Sequence, residues 1–143
     1  MRHMPTLTEV MTAFPVHIDE QDTLASAAAL MDEHQCHHLP VLRGHEPIGV
    51  LSIREIELAR QPGRSSAELT ELNAGDLCRQ FDSVELHTRL DVVLEQMAEH
   101  GVDAMLVMRS GRMAGILTCQ DVCRSYAHWL KETFLPPEDP SIA

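Results

Sequence analysis

Residues 34–56, HQCHHLPVLRGHEPIGVLSIREI, return in outline as residues 100–122, HGVDAMLVMRSGRMAGILTCQDV, at a constant offset of 66. His34 falls on His100, Arg43 on Arg109, Gly49 on Gly115, Ser52 on Thr118 and Ile56 on Val122. Upstream, Leu24 falls on Leu90 and Met31 on Met97. A fixed internal period restricts the fold severely. Each copy is one supersecondary unit that cannot cover its own apolar face and has to bury it against its twin.

Both copies carry the same local signals. A short extended run (residues 15–18, then 81–86) precedes a helix with apolar residues three and four apart: Leu24, Ala27, Ala28 and Met31, then Leu90, Val93, Leu94 and Met97. Two short apolar strands follow, 39–42 and 48–51 in copy one and 105–108 and 114–117 in copy two. Five-residue connections, Arg43 to Pro47 and Arg109 to Met113, read as hairpin turns. A second helix closes each copy. These signals predict an α+β fold: two βαββα-type repeats packed as a pseudo-twofold pair, with small sheets covered by helices. The first copy takes residues 1–60, a linker 61–73, and the second copy with its C-terminal helix 74–135. Gln61-Pro62-Gly63-Arg64-Ser65-Ser66 is the clearest linker, and residues 67–76 join the second copy's layers. Pro136, Pro137 and Pro140 make residues 136–143 a flexible tail.

Charge narrows the function. With 22 acidic against 11 basic side chains and a net charge of -11, the field repels phosphate backbones and anionic lipid, which argues against nucleic-acid and membrane partners. Neither a signal-peptide core nor an apolar stretch of about 20 residues stands out, so the reading is a cytoplasmic protein. Cys36, Cys78, Cys119 and Cys123 match no zinc-ribbon or redox spacing and read as reduced thiols. His34, His37 and His38 fall within five residues, but a helix end and a strand start account for them without a metal. No nucleophile sits in a triad or elbow context and no phosphate-binding glycine loop is present, which points away from an enzyme. The final helix, about residues 121–134, carries Val122, Tyr126, Trp129 and Leu130 at helical spacing, a packing surface for its own module, a dimer mate or a partner protein.

Glu9-Val10-Met11-Thr12, the Leu39-Pro40-Val41 strand and the two Gly-x-x-Ser/Thr-x-x-acid segments, duplicated in order, resemble CBS motifs. The resemblance covers roughly residues 7–126, a tandem CBS (Bateman) module. It implies a regulatory, energy-sensing module that needs no cofactor and binds AMP, ADP, ATP or S-adenosylmethionine in clefts between the motifs, commonly as a disc-shaped homodimer. It points first to Gly115, Thr118 and Asp121: the carboxylate for vicinal ribose hydroxyls, the Thr hydroxyl for ribose or phosphate, and Gly115 for close approach of a ligand. Ser52 and Glu55 occupy the same places in copy one, with Glu a methylene longer than the family's usual Asp or Asn. Both pairs also have the spacing of a helix capping box, and the two roles are compatible. Adenine contacts are expected at Phe14, Pro15 and Val16 in copy one and at Gln80, Phe81 and Asp82 in copy two. Arg54 is the first candidate for phosphate, with Arg79, Arg43, Arg109 and Arg124 behind it. Cys119-Gln120 in place of Ile53-Arg54 makes the second copy's phosphate end less basic. The family's Gly-to-Pro element is split, with Gln35 where Gly is usual and Leu106 where Pro is usual. That departure motivates the alternative function, a ligand-free dimeric docking platform. A metal or redox sensor built on the histidines or cysteines is a weaker third reading.

Overall fold

The structure is a computed structural model that describes residues 3–60 and 72–137. The linker residues 61–66 and the tail from residue 138 lie outside the described residues. In chain order the elements are α1 (Leu7–Val10), β1 (Thr12–Ala13), β2 (Ile18–Asp19), α2 (Leu24–His34), β3 (His38–Arg43), β4 (Glu46–Ser52), α3 (Ile53–Ala59), α4 (Ala74–Leu77), β5 (Ser83–Glu85), α5 (Leu90–His100), β6 (Ala104–Arg109), β7 (Arg112–Thr118) and α6 (Cys119–Phe134). The architecture is α+β with two small sheets, as the repeat predicts.

The two copies share register as well as sequence. In one sheet β3 lies between parallel β2 and antiparallel β4; in the other β6 lies between parallel β5 and antiparallel β7. Leu39 faces Leu51 and Met105 faces Leu117, and a register shift recurs at Val41/Leu42 and at Val107/Met108. The strands run further than the apolar runs suggest. Arg43 pairs with Glu46 and Arg109 with Arg112, so each connection is a two-residue turn rather than five residues. Gly44 in the first turn, and Ser110 and Gly111 in the second, take the positive φ such turns require.

The helices bury the predicted stripes: Leu24, Ala27 and Met31 from α2, and Leu90, Val93 and Met97 from α5. Both stop at a left-handed residue, Gln35 (φ 52°) after α2 and Gly101 (φ 65°) after α5. The glycine missing from the first copy's motif is therefore a helix stop, and Gln35 adopts the same backbone with a side chain attached.

The repeat alignment does not reveal that the copies trade their opening segments. β1 adds to the far edge of the second sheet, Thr12 opposite Ile116 and Ala13 opposite Gly115. Leu7 joins Val84, Val93, Met105, Val107 and Leu117 in the second core. In return, Ala74 joins Ile18, Leu24, Leu39, Val41 and Leu51 in the first core, and Arg79 and Val50 exchange backbone hydrogen bonds of 3.0 Å each way. Burying Leu7 alone stabilises the exchanged arrangement by about 2 kcal/mol. Gly115 and Gly49 let the traded strands lie close. A Cβ at Gly115 would stand 2.8 Å from the Thr12 carbonyl oxygen, and one at Gly49 would stand 2.7 Å from that of Arg79.

Candidate functional site

Each closing helix starts with a carboxylate folded back on its own N-cap. In α6, Asp121 Oδ2 accepts from the Thr118 amide at 3.0 Å and from the Thr118 hydroxyl at 3.0 Å, while the Asp121 amide donates to Thr118 Oγ1 at 3.2 Å. The other oxygen, Oδ1, accepts from the Thr12 hydroxyl on traded β1 at 3.3 Å. Asp121 is only 8% exposed, so these bonds offset much of the desolvation of its charge. Arg124 approaches Oδ1 to 3.9 Å from one turn along the helix. In α3, Glu55 Oε2 accepts from the Ser52 amide at 3.1 Å, and Oε1 pairs with Arg79 Nε at 2.8 Å.

The predicted residues gather crosswise. Pro15 and Val16 of copy one stand with Thr118, Gln120, Asp121 and Arg124 of copy two around a cleft of about 520 Å³. Arg79, Gln80, Phe81 and Asp82 of copy two stand with Ser52, Arg54 and Glu55 of copy one around a second cleft of about 360 Å³. Both volumes lie in the range that holds a small ligand. The trade of opening segments produces this arrangement, because it carries each strand start to the other copy's helix cap.

Four predicted positions lie elsewhere. Gly115 lines neither cleft; the chain that approaches it is β1. Phe14 is 90% exposed, has φ 47° and lines neither cleft. Arg43 pairs with Glu20 through two bonds of 3.0 Å, and Arg109 ends a hairpin. Sequence reasoning missed Thr12 as a cleft residue, since its partner position in copy two is Arg79 and the offset there is 67 rather than 66.

His37, His38 and Asp103 line both clefts and form the wall between them. The wall is tied to both helix starts, with the Ile53 amide donating to the His37 carbonyl and the Cys119 amide to the Asp103 carbonyl, each at 2.9 Å. Burial pushes the His38 imidazole below its ordinary value, against the pull of the Asp103 and Glu55 carboxylates, and His37 adds to the lowering. Partial desolvation likewise raises the thiols of Cys36 and Cys119 in the first cleft, and at Cys119 the Asp103 carboxylate adds to the rise. No group of three or more His, Cys, Asp or Glu residues is arranged to hold a metal ion among the described residues. None of the described helices is long and apolar enough to cross a membrane.

On α6, Tyr126 stacks on Trp129 with ring centroids 5.8 Å apart, and Phe134 meets Trp129 edge-on at 5.8 Å. All three stay exposed. Beneath them Pro5, Val10, Leu90, Leu94 and Val122 line a shallow apolar groove.

The CBS domain family matches residues 7–60 and 74–128. Hypoxic response protein 1 of Mycobacterium tuberculosis is 30% identical over 123 residues, which cover 85% of each chain. A solved structure of Hypoxic Response Protein I with two coordinated zinc ions superposes with a TM-score of 0.69 at 26% identity, covering 84% of this chain and 98% of that one. A CBS domain of a bacterial CNNM/CorC family Mg2+ transporter in complex with ATP gives 0.74 at 21% identity, covering 85% and 87%. A CBS domain pair in complex with 5'-methylthioadenosine and S-adenosyl-L-methionine gives 0.76 at 15%, covering 89% and 99%. The chain spans 41% of the length of another relative, from Thermofilum pendens, at 25% identity over 126 residues. Two family matches at the two copies, laid over two sheets of one register, lead to one conclusion: this chain is a tandem pair belonging to the CBS domain family.

Proposed function

We propose that the chain is a non-catalytic regulatory module that binds an adenosyl nucleotide, AMP, ADP, ATP or S-adenosylmethionine, in the cleft between its copies. The observation that carries this reading is the buried Asp121 carboxylate at the edge of that cleft, at the start of a 16-residue helix. Its Oδ1 holds only a 3.3 Å bond from a rotatable Thr12 hydroxyl and a distant Arg124, which leaves acceptor capacity for a vicinal ribose diol. Pro15, Val16 and Ile116 offer an apolar wall for a base, and Arg124 offers a cation for phosphate. The neighbours solved with ATP and with S-adenosyl-L-methionine support a ligand of this class. Because the cleft walls come from both copies, a ligand that touches both favours one arrangement of the halves and passes on its occupancy as a change of conformation or of homodimer assembly.

The test is a thermal-shift panel of these nucleotides, with calorimetry on any hit. A ligand at 100 times its Kd adds about 2.7 kcal/mol to the folded state. One adenosyl compound should raise the midpoint of the parent by several degrees and leave folded Asp121→Ala unmoved. No shift with any of them at millimolar concentration sinks the reading. The exposed Tyr126, Trp129 and Phe134 cluster then favours the second reading, a dimeric docking platform.

A further inference from the structure

The pseudo-symmetry makes residues 12 and 79 comparable. Thr12 pairs with Ile116 in β7, and Arg79 bridges Val50 in β4, the position 66 residues earlier. Each lies on a traded segment, and each reaches the cap carboxylate of the opposite copy, Asp121 or Glu55. The chemistry of the two contacts differs. A threonine hydroxyl can rotate and surrender its single 3.3 Å bond to an incoming hydroxyl. A guanidinium at 2.8 Å makes a charge-assisted pair, and Glu55's second oxygen is already held by the Ser52 amide at 3.1 Å. The Arg79 side chain is 72% exposed while that of Glu55 is 11% exposed, so the guanidinium covers the carboxylate on its open side.

We propose that Arg79 closes the Ser52–Glu55 cleft to the vicinal diol of a nucleoside, so that the chain binds one nucleoside, at Asp121, despite carrying two clefts. The inference rests on the nucleotide-binding reading above and adds a determinant of stoichiometry. A diol that donates its hydroxyl protons needs a carboxylate oxygen to accept them, and Arg79 Nε already occupies Glu55 Oε1 at 2.8 Å.

The experiment is calorimetric stoichiometry with adenosine and with AMP on the full chain, for the parent, Arg79→Thr, Arg79→Ala and Thr12→Arg. Arg79→Thr installs in the second cleft the residue found in the first, and should bind one more nucleoside per chain than the parent. Thr12→Arg should bind one fewer. The added site should reject 2',3'-dideoxyadenosine, which keeps the base and lacks the diol. Arg79→Ala reports the same gain if Arg79→Thr does not fold, as judged by circular dichroism. Equal counts for the parent and both Arg79 variants overturn the role of Arg79. A parent that binds no nucleoside counts against the nucleotide-binding reading, and the difference between parent and variant still decides this one.

Discussion

Gly115→Ala probes the exchange of opening segments directly. The new Cβ would lie 2.7 Å from Met11 Sδ, 2.8 Å from the Thr12 carbonyl oxygen and 3.1 Å from Met11 Cε. Met11 can swing aside. The Thr12 carbonyl cannot, since it belongs to the ladder that pairs Thr12 with Ile116, so β1 itself has to lift. Overpacking of this kind costs about 1–3 kcal/mol. The upper end applies if β1 lifts far enough to expose Leu7. For a chain of this length that lowers the melting temperature by roughly 3–9 °C. The assay is thermal unfolding followed by circular dichroism, beside Gly111→Ala, where nothing lies within 4 Å and only the φ of 76° opposes a side chain, a cost of about 1 kcal/mol. Gly49→Ala should behave as Gly115→Ala does, against Cys78 and the Arg79 carbonyl. A Gly115→Ala protein that melts within about 1 °C of the parent would refute the reasoning, because β1 could not then be clamped across Gly115.

Gln35→Gly should raise stability by about 1 kcal/mol, less a few tenths for the lost 2.7 Å bond from Gln35 Nε2 to the Asp32 carbonyl, because it relieves a left-handed backbone. Gly101→Gln should lower stability by a similar amount, and melting curves that move both variants in the same direction would sink the argument. His38 sets a pH dependence of known sign. Burial lowers its folded pKa beneath the unfolded value near 6.5, so the unfolded chain takes up the proton first. Its contribution to stability is present above pH 6.5 and is lost as pH falls from there through the lowered folded value. Urea midpoints at pH 7.5 and 5.5 should therefore differ less in His38→Gln than in the parent, and an equal difference in both would remove His38 as a cause.

What the sequence shows of this fold follows from where its signals are local. The α2 and α5 stripes and the core of each hairpin repeat at 66 and carry helical or strand periodicity, so they are readable. The hairpin ends are not, because Arg43, Glu46, Arg109 and Arg112 are charged and exposed and give no apolar signal, although they pair. The exchange is invisible for a different reason. β1 is two residues long, its partner is over 100 residues away, and the offset between Thr12 and Arg79 is 67, so alignment at 66 sets them out of step. Gly115 was legible as a place of close approach, but the approaching object is chain, and only the packing of β1 identifies it. Gln35 was legible as a missing glycine, yet its meaning as a helix stop needs the backbone angle.

The same exchange explains how a duplicated chain can diverge in its clefts without losing its fold. Neither copy completes its sheet, its core or its cleft alone, since Leu7 and Thr12 serve the second copy and Ala74 and Arg79 the first. The backbone contacts of the traded segments, Thr12 to Ile116 and Arg79 to Val50, involve amides and carbonyls and tolerate any side chain that leaves Gly115 and Gly49 clear. The side chains that face the clefts, Thr12 against Arg79, Asp121 against Glu55 and Gln120 against Arg54, belong to neither apolar core and differ between the copies. Core demands therefore hold the two halves alike in register while the cleft residues drift apart. A pair of unlike clefts on one pseudo-twofold frame follows from that division of constraints.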